Sequence, residues 1–197
     1  MLIHGVESNA QATWEEPGTV AALARNHRVL AIDMPGHGRS DKPTAPEAHG
    51  VQWSEDVARL LDHLAIAKAH IVGFSMGGIV TLKFAVDHPD RMLTGTLVGM
   101  GLVQQGGAMQ EFWARKPDLA ARRVADLALT PDQVKAVRLP MKILVGSNDT
   151  VARRYIEPLL AVRRDWPVVE IADADHVGCL FKSQFRAELA SWLDRSR

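Results

Sequence analysis

The sequence predicts an α/β protein, a mostly parallel sheet with helices on both faces. Three observations predict it. Short apolar runs of strand character alternate with helical patterns from one end of the chain to the other. One turn, Gly73-Phe74-Ser75-Met76-Gly77, joins such a run directly to a helical stretch, with small residues where a sharp strand-to-helix bend crowds the backbone. The length of 197 residues, 47% of them hydrophobic, suits one domain with a sizeable core, carrying at most an insertion.

The elements follow in order. Leu2-Ile3 is a short apolar run ending at His4-Gly5, and Val29-Leu30-Ala31-Ile32 is a strand stopped by the turn-rich Asp33-Met34-Pro35-Gly36-His37-Gly38. From Val51 to His63 the pattern is helical, with Val57, Leu60, Leu61 and Leu64 recurring at three- and four-residue spacing. His70-Ile71-Val72-Gly73 closes a buried strand, and Gly78 to Ala85 is the helix it feeds, stopped at His88-Pro89. Thr96-Leu97-Val98-Gly99 is the next strand. Lys142-Ile143-Leu144-Val145-Gly146, entered through Pro140, and Val168-Val169-Glu170-Ile171 complete the sheet, and Arg186 to Leu193 belongs to a closing helix. Between residues 103 and 138 no strand-like run occurs, while Met109, Phe112, Trp113, Leu119, Val124, Leu127 and Leu129 mark helical patterns. This stretch reads as one or two helices forming a short cap over the sheet's C-terminal edge, with residues 1–102 and 139–197 as the core. A crossover helix with an extended loop is the plainer alternative. Insertions at that edge are where open α/β sheets place ligands.

Lys+Arg and Asp+Glu both count 23, so no basic surface points to nucleic acid or an anionic membrane. No apolar stretch approaches the ~20 residues of a membrane span. Met1-Leu2-Ile3-His4-Gly5 lacks the basic flank and apolar centre of a signal peptide. A single cysteine, Cys179, forms no internal disulfide and fits a reducing compartment, so the expectation is a cytoplasmic protein. No metal-ligand cluster or phosphate-cradling loop is evident, and no metal or cofactor is expected.

Ser75, at the centre of the G-x-S-x-G turn, is the candidate nucleophile. A serine hydroxyl needs a base to take its proton, and the base needs an orienting carboxylate. Around such turns the acid and then the histidine follow on loops after later strands. Asp149 directly follows Gly146-Ser147-Asn148, and His176 lies in Ala172-Asp173-Ala174-Asp175-His176, ahead of the closing helix. The plainer alternative for Asp149 is the N-cap of a helix that starts nearby. Asp173 and Asp175 share the tight loop of His176 and are poorly placed to reach the imidazole nitrogen facing away from the serine. His27, His49, His63 and His88 read as surface residues. The developing oxyanion would be met by the amide of Met76 and by that of Val6, in the turn after the first apolar run. His4, His37 and Asp33 read as loop-fixing residues rather than proton carriers.

Taken together, His4-Gly5, Asp33-Met34-Pro35-Gly36-His37-Gly38-Arg39-Ser40, Gly73-Phe74-Ser75-Met76-Gly77-Gly78, Gly146-Ser147-Asn148-Asp149 and Asp175-His176 resemble the α/β-hydrolase superfamily. The likeness is greatest to its carboxylesterase, enol-lactonase and cofactor-free haloperoxidase branch. The resemblance implies Ser75 as nucleophile, His176 as base, Asp149 as acid, and the Val6 and Met76 amides as oxyanion hole. It implies a serine carboxylesterase acting on small esters, with lactone or carbon–carbon bond hydrolysis by the same residues, or a silent binding protein, as alternatives. Phe112 and Trp113 are candidate walls of a small acyl pocket. Family members usually carry strands before the His-Gly turn. Here the chain starts on that strand, which leaves an apolar edge at Val29-Leu30-Ala31-Ile32 and an expectation that this edge pairs in a homodimer or is shielded by a rearranged N-terminus.

Overall fold

The computed structural model describes residues 1–196. Six parallel strands, β1 (Leu2–Ile3), β2 (Ala31–Ile32), β3 (Ala69–Phe74), β4 (Met92–Val98), β5 (Met141–Gly146) and β6 (Val168–Ile171), form one sheet in the order β2-β1-β3-β4-β5-β6. Residues one apart along a strand go to opposite cores. Ile3, Ile71, Leu97 and Ile143 pack on one face, and Leu2, Val72, Val98 and Leu144 on the other. Both faces are therefore buried, as a parallel sheet requires.

Among the described residues eight α-helices cover it: α1 (Thr19–Leu23), α2 (Gln52–His63), α3 (Met76–Asp87), α4 (Ala108–Ala114), α5 (Leu119–Arg123), α6 (Pro131–Ala136), α7 (Arg153–Val162) and α8 (Ser183–Arg195). Apolar residues of α2 to α7 join the first core, and those of α1 and α8 join the second. α3 is apolar almost all round (Ile79, Val80, Leu82, Phe84 and Ala85 are all buried), and it lies at the centre of its layer. The stretch between β4 and β5 is three short helices with a single 3₁₀ turn at Val124–Leu127, finer in grain than the sequence pattern shows. Its Thr130 closes a capping box with Gln133 at the head of α6.

Two expectations need correcting. The strand expected over 29–32 keeps ladder pairing only at Ala31 and Ile32. His49 is buried rather than on the surface, its ring edge-on to Trp53 and its Nε2–H donating to the Pro43 carbonyl. Among the described residues no helix is long and apolar enough to cross a membrane.

Candidate functional site

Register brings the site together. Pairing of Ile3 with Gly73 sets the turn after β1 beside the turn after β3. Pairing of Gly146 with Ile171, extended by the Asn148 amide donating to the Ala174 carbonyl (2.9 Å), runs the loop after β5 alongside the loop after β6. Four loops thus meet at the C-terminal edge of the sheet.

Ser75 holds φ 51° and ψ −119°, a conformation that L residues with a side chain rarely adopt. The small neighbours explain how the turn closes. A Cβ on Gly73 would overlap the Gly77 carbonyl, and one on Gly77 would overlap the Ile3 carbonyl. With both bare, the Ser75 side chain sits at the head of α3, in a site that leaves the residue 9% exposed.

His176 Nδ1 lies 2.7 Å from Asp149 Oδ2, and its Nε2 lies 3.1 Å from Ser75 Oγ. An ionised carboxylate only accepts, so Nδ1 carries the proton and Nε2 presents its lone pair to the serine hydroxyl. Asp149 is 1% exposed, and its other oxygen accepts the amides of Val151 (3.0 Å) and Ala152 (2.9 Å). The carboxylate caps the turn leading into α7 and also orients the imidazole. One side chain thus holds the contacts that each of the two readings of Asp149 calls for. Asp175 instead accepts the Gly178 amide, and the ring nitrogens of His176 bond Asp149 and Ser75 rather than Asp173 or Asp175.

The amide of Met76 opens α3, at the positive end of the helix dipole. It and the Val6 amide bond no protein acceptor among the described residues, which leaves both donors available. The loop that carries Val6 is held from beneath. His4, fully buried, donates Nδ1–H to the Gly5 carbonyl (2.6 Å) and accepts the Met34 amide at Nε2 (3.0 Å). Burial pushes its pKa down to about 4, so this histidine is neutral. Asp33 accepts the amides of Ala10 (2.7 Å) and Arg39 (2.8 Å). Burial raises its pKa, but those two donors prevail and hold it below the usual carboxylate range. Burial likewise lowers the pKa of His37.

Two residues at the site carry no signal of their own in the sequence. Gly99, at φ 61°, directly follows β4, and a Cβ there would lie 3.1 Å from the His176 ring and 3.2 Å from Asp149 Oδ2. A glycine closing the strand beside the nucleophile's strand was the available hint. Phe74 packs its ring on His176, centroid to centroid 4.9 Å at 36°. Of the two expected pocket walls, Trp113 is buried, while Phe112 is 42% exposed under Lys116. The depression around Phe112 is lined by Ala108, Glu111, Arg115, Lys116 and Pro117, and by none of Ser75, Asp149 and His176.

A family profile described as alpha/beta hydrolase fold matches residues 1–157. The chain belongs to the α/β-hydrolase fold family. Within it, a dihydrolipoyllysine-residue acetyltransferase component of an acetoin cleaving system from Pseudomonas putida is 39% identical over 139 residues, covering 66% of this chain and 37% of its own length. A 2-hydroxy-6-oxo-6-phenylhexa-2,4-dienoate hydrolase from Comamonas testosteroni is 30% identical over 166 residues, covering 84% of this chain and 54% of its own. This chain thus spans about half or less of these curated relatives. A carboxylesterase structure from the thaumarchaeon Nitrososphaera gargenis superposes with TM-score 0.79 at 20% identity, covering 99% of this chain and 89% of that one. The enol-lactonase of Burkholderia xenovorans LB400 superposes with TM-score 0.75 at 20% identity, with coverage of 99% and 89%. At that identity the superpositions speak for the shared fold.

Proposed function

We propose that this protein is a serine hydrolase of small carboxylic esters working through an acyl-enzyme. The observation that carries the proposal is the continuous chain from Ser75 through His176 to Asp149, with bonds of 3.1 and 2.7 Å, ending on a strained serine. Ser75 Oγ attacks the ester carbonyl as its proton passes to His176 Nε2, and Asp149 stabilises the imidazolium that forms. The Val6 and Met76 amides receive the charge that develops on the carbonyl oxygen. His176 then gives the proton to the departing alkoxide. Water, deprotonated by the same nitrogen, next displaces the acyl group and restores Ser75.

The helices between β4 and β5 act, in this proposal, as a short cap over that edge. Trp113, on their buried side, is the better candidate for a wall of the acyl pocket than the exposed Phe112. The outer edge of β2 is unpaired among the described residues, which supports pairing with a second copy. A monomer in light scattering would remove that part of the proposal.

A second reading, lactone or carbon–carbon bond hydrolysis with the same residues, is favoured by the names of the relatives, among them a 2-hydroxymuconate semialdehyde hydrolase of Pseudomonas sp. CF600 that is 29% identical over 168 residues. A silent fold is disfavoured by the intact hydrogen-bonded chain. The test is turnover of p-nitrophenyl acetate, butyrate and octanoate, an enol-lactone and 2-hydroxymuconate semialdehyde by wild type and Ser75→Ala. Ester turnover that falls with acyl length and vanishes in the variant supports the proposal. Turnover of the lactone or the semialdehyde alone moves the assignment to the second reading.

A further inference from the structure

Phe74 occupies the variable position just before the nucleophile, and nothing in the proposed chemistry uses it. Its side chain nevertheless sits in a particular place. The residue is 6% exposed, and its ring faces the His176 imidazole at 4.9 Å. The backbone of the turn after β1 lies close by, since a Cβ on Gly5 would come within 3.2 Å of the same ring. The phenyl group is therefore wedged between the turn that carries Val6 and the proposed base. We infer that Phe74 is a positioning residue for His176, holding the imidazole in line with Ser75 and stabilising the imidazolium on its π face.

This inference rests on the proposed serine chemistry. When His176 takes the Ser75 proton, positive charge appears over the negative face of the Phe74 ring, an attraction absent while the imidazole is neutral. An interaction that appears only with the charge acts on the transition state more than on the ground state. The other groups facing the imidazole leave this role open. Asp149 holds the far nitrogen, Ser75 lies at the near one, and Gly99 presents only backbone to the ring edge. Asp175, next in the chain, is turned to the Gly178 amide. Cys179 directs its thiol to the His176 carbonyl at 3.2 Å and is uncharged, since burial pushes its pKa up to about 12.

The test compares Phe74→Leu, which keeps an apolar filling and removes the π face, with Phe74→Tyr, which keeps the ring. Rates are read on p-nitrophenyl acetate and, independently of any substrate preference, as inactivation by a fluorophosphonate. In Phe74→Leu, kcat should fall about two- to sixfold with KM within about twofold, and the acid limb of both pH profiles should move about half a pH unit lower. Phe74→Tyr should stay close to wild type in all three. A Leu variant with an unmoved acid limb overturns the inference, and so does a Tyr variant that behaves like Leu. If wild type reacts with neither reagent, or if Ser75→Ala still reacts, the serine chemistry itself fails and the role of Phe74 falls with it. The pH comparison cannot be mimicked by simple loosening of the fold, which would lower rates without displacing the limb.

Discussion

Asp149 offers a perturbation that separates its two jobs. One oxygen caps the turn into α7 through the Val151 and Ala152 amides, and the other receives His176 Nδ1–H. In Asp149→Asn the amide oxygen can still accept the two backbone donors, so the cap survives. The NH₂ group then faces Nδ1, which must turn acceptor and moves the ring proton to Nε2, where it confronts Ser75. The wrong tautomer costs roughly 10³- to 10⁴-fold in kcat by comparison with the same change in another serine enzyme, with stability changed by less than about 1 kcal/mol. Asp149→Ala removes both jobs. Losing the cap leaves those two amides without their acceptor, which costs about 1–3 kcal/mol. Ester hydrolysis and urea unfolding of both variants check the two axes. Asn retaining more than a tenth of wild-type kcat would refute the orienting role. Ala unfolding no more easily than Asn would refute the cap.

Other outcomes follow from neighbouring groups. The pKa of His4 is about 4 folded against 6.5 unfolded, so the unfolded chain binds the proton first. Its contribution is complete above pH 6.5 and is lost as pH falls towards 4. Unfolding free energy should drop by about 2 kcal/mol between about pH 7.5 and about pH 5, a slope that His4→Gln reduces, with a residue left from His37. An unchanged slope in that variant would show that His4 is not the group responsible. Gly99→Ala places a methyl against His176 and Asp149 at a left-handed backbone position. It should lower kcat roughly 10- to 100-fold by misaligning the base, with KM little changed, and wild-type kinetics would contradict the contact. Cys179, buried and with its thiol pKa raised to about 12, should resist Ellman's reagent until the protein is unfolded. Rapid native labelling would contradict its placement.

The sheet was legible because strand period and helix period alternate plainly in this chain. Ile71/Val72 and Ile143/Leu144 form apolar runs that only a sheet buried on both faces needs. The candidate site was legible for a different reason. A strained serine needs small residues at fixed offsets, and its partners must follow strands, so Ser75, Asp149 and His176 announce themselves through local context. What the sequence hid is what depends on distant contacts. His49 is polar, yet a facing Trp53 buries it. The extent of α7, though not its start near Asp149, was obscured by Pro158 in its interior, a residue that normally ends helices. Phe74 reads as one more apolar strand residue, and the return of the chain at residue 176 is what sets the imidazole against its ring. Within residues 108–136 the 3₁₀ turn and α6 pack on α3, while α4 and α5 pack on that turn, contacts that local periodicity does not show.

The central claim is that Ser75 is a nucleophile activated by His176. The most direct measurement is peptide mapping by mass spectrometry after treatment with a fluorophosphonate, on wild type and on His176→Ala. The account predicts one covalent phosphonyl adduct, on the peptide carrying Ser75, formed quickly in wild type and slowed by at least about 10³-fold without the imidazole. An adduct on another residue, or equal labelling of Ser75 in the two proteins, would contradict it.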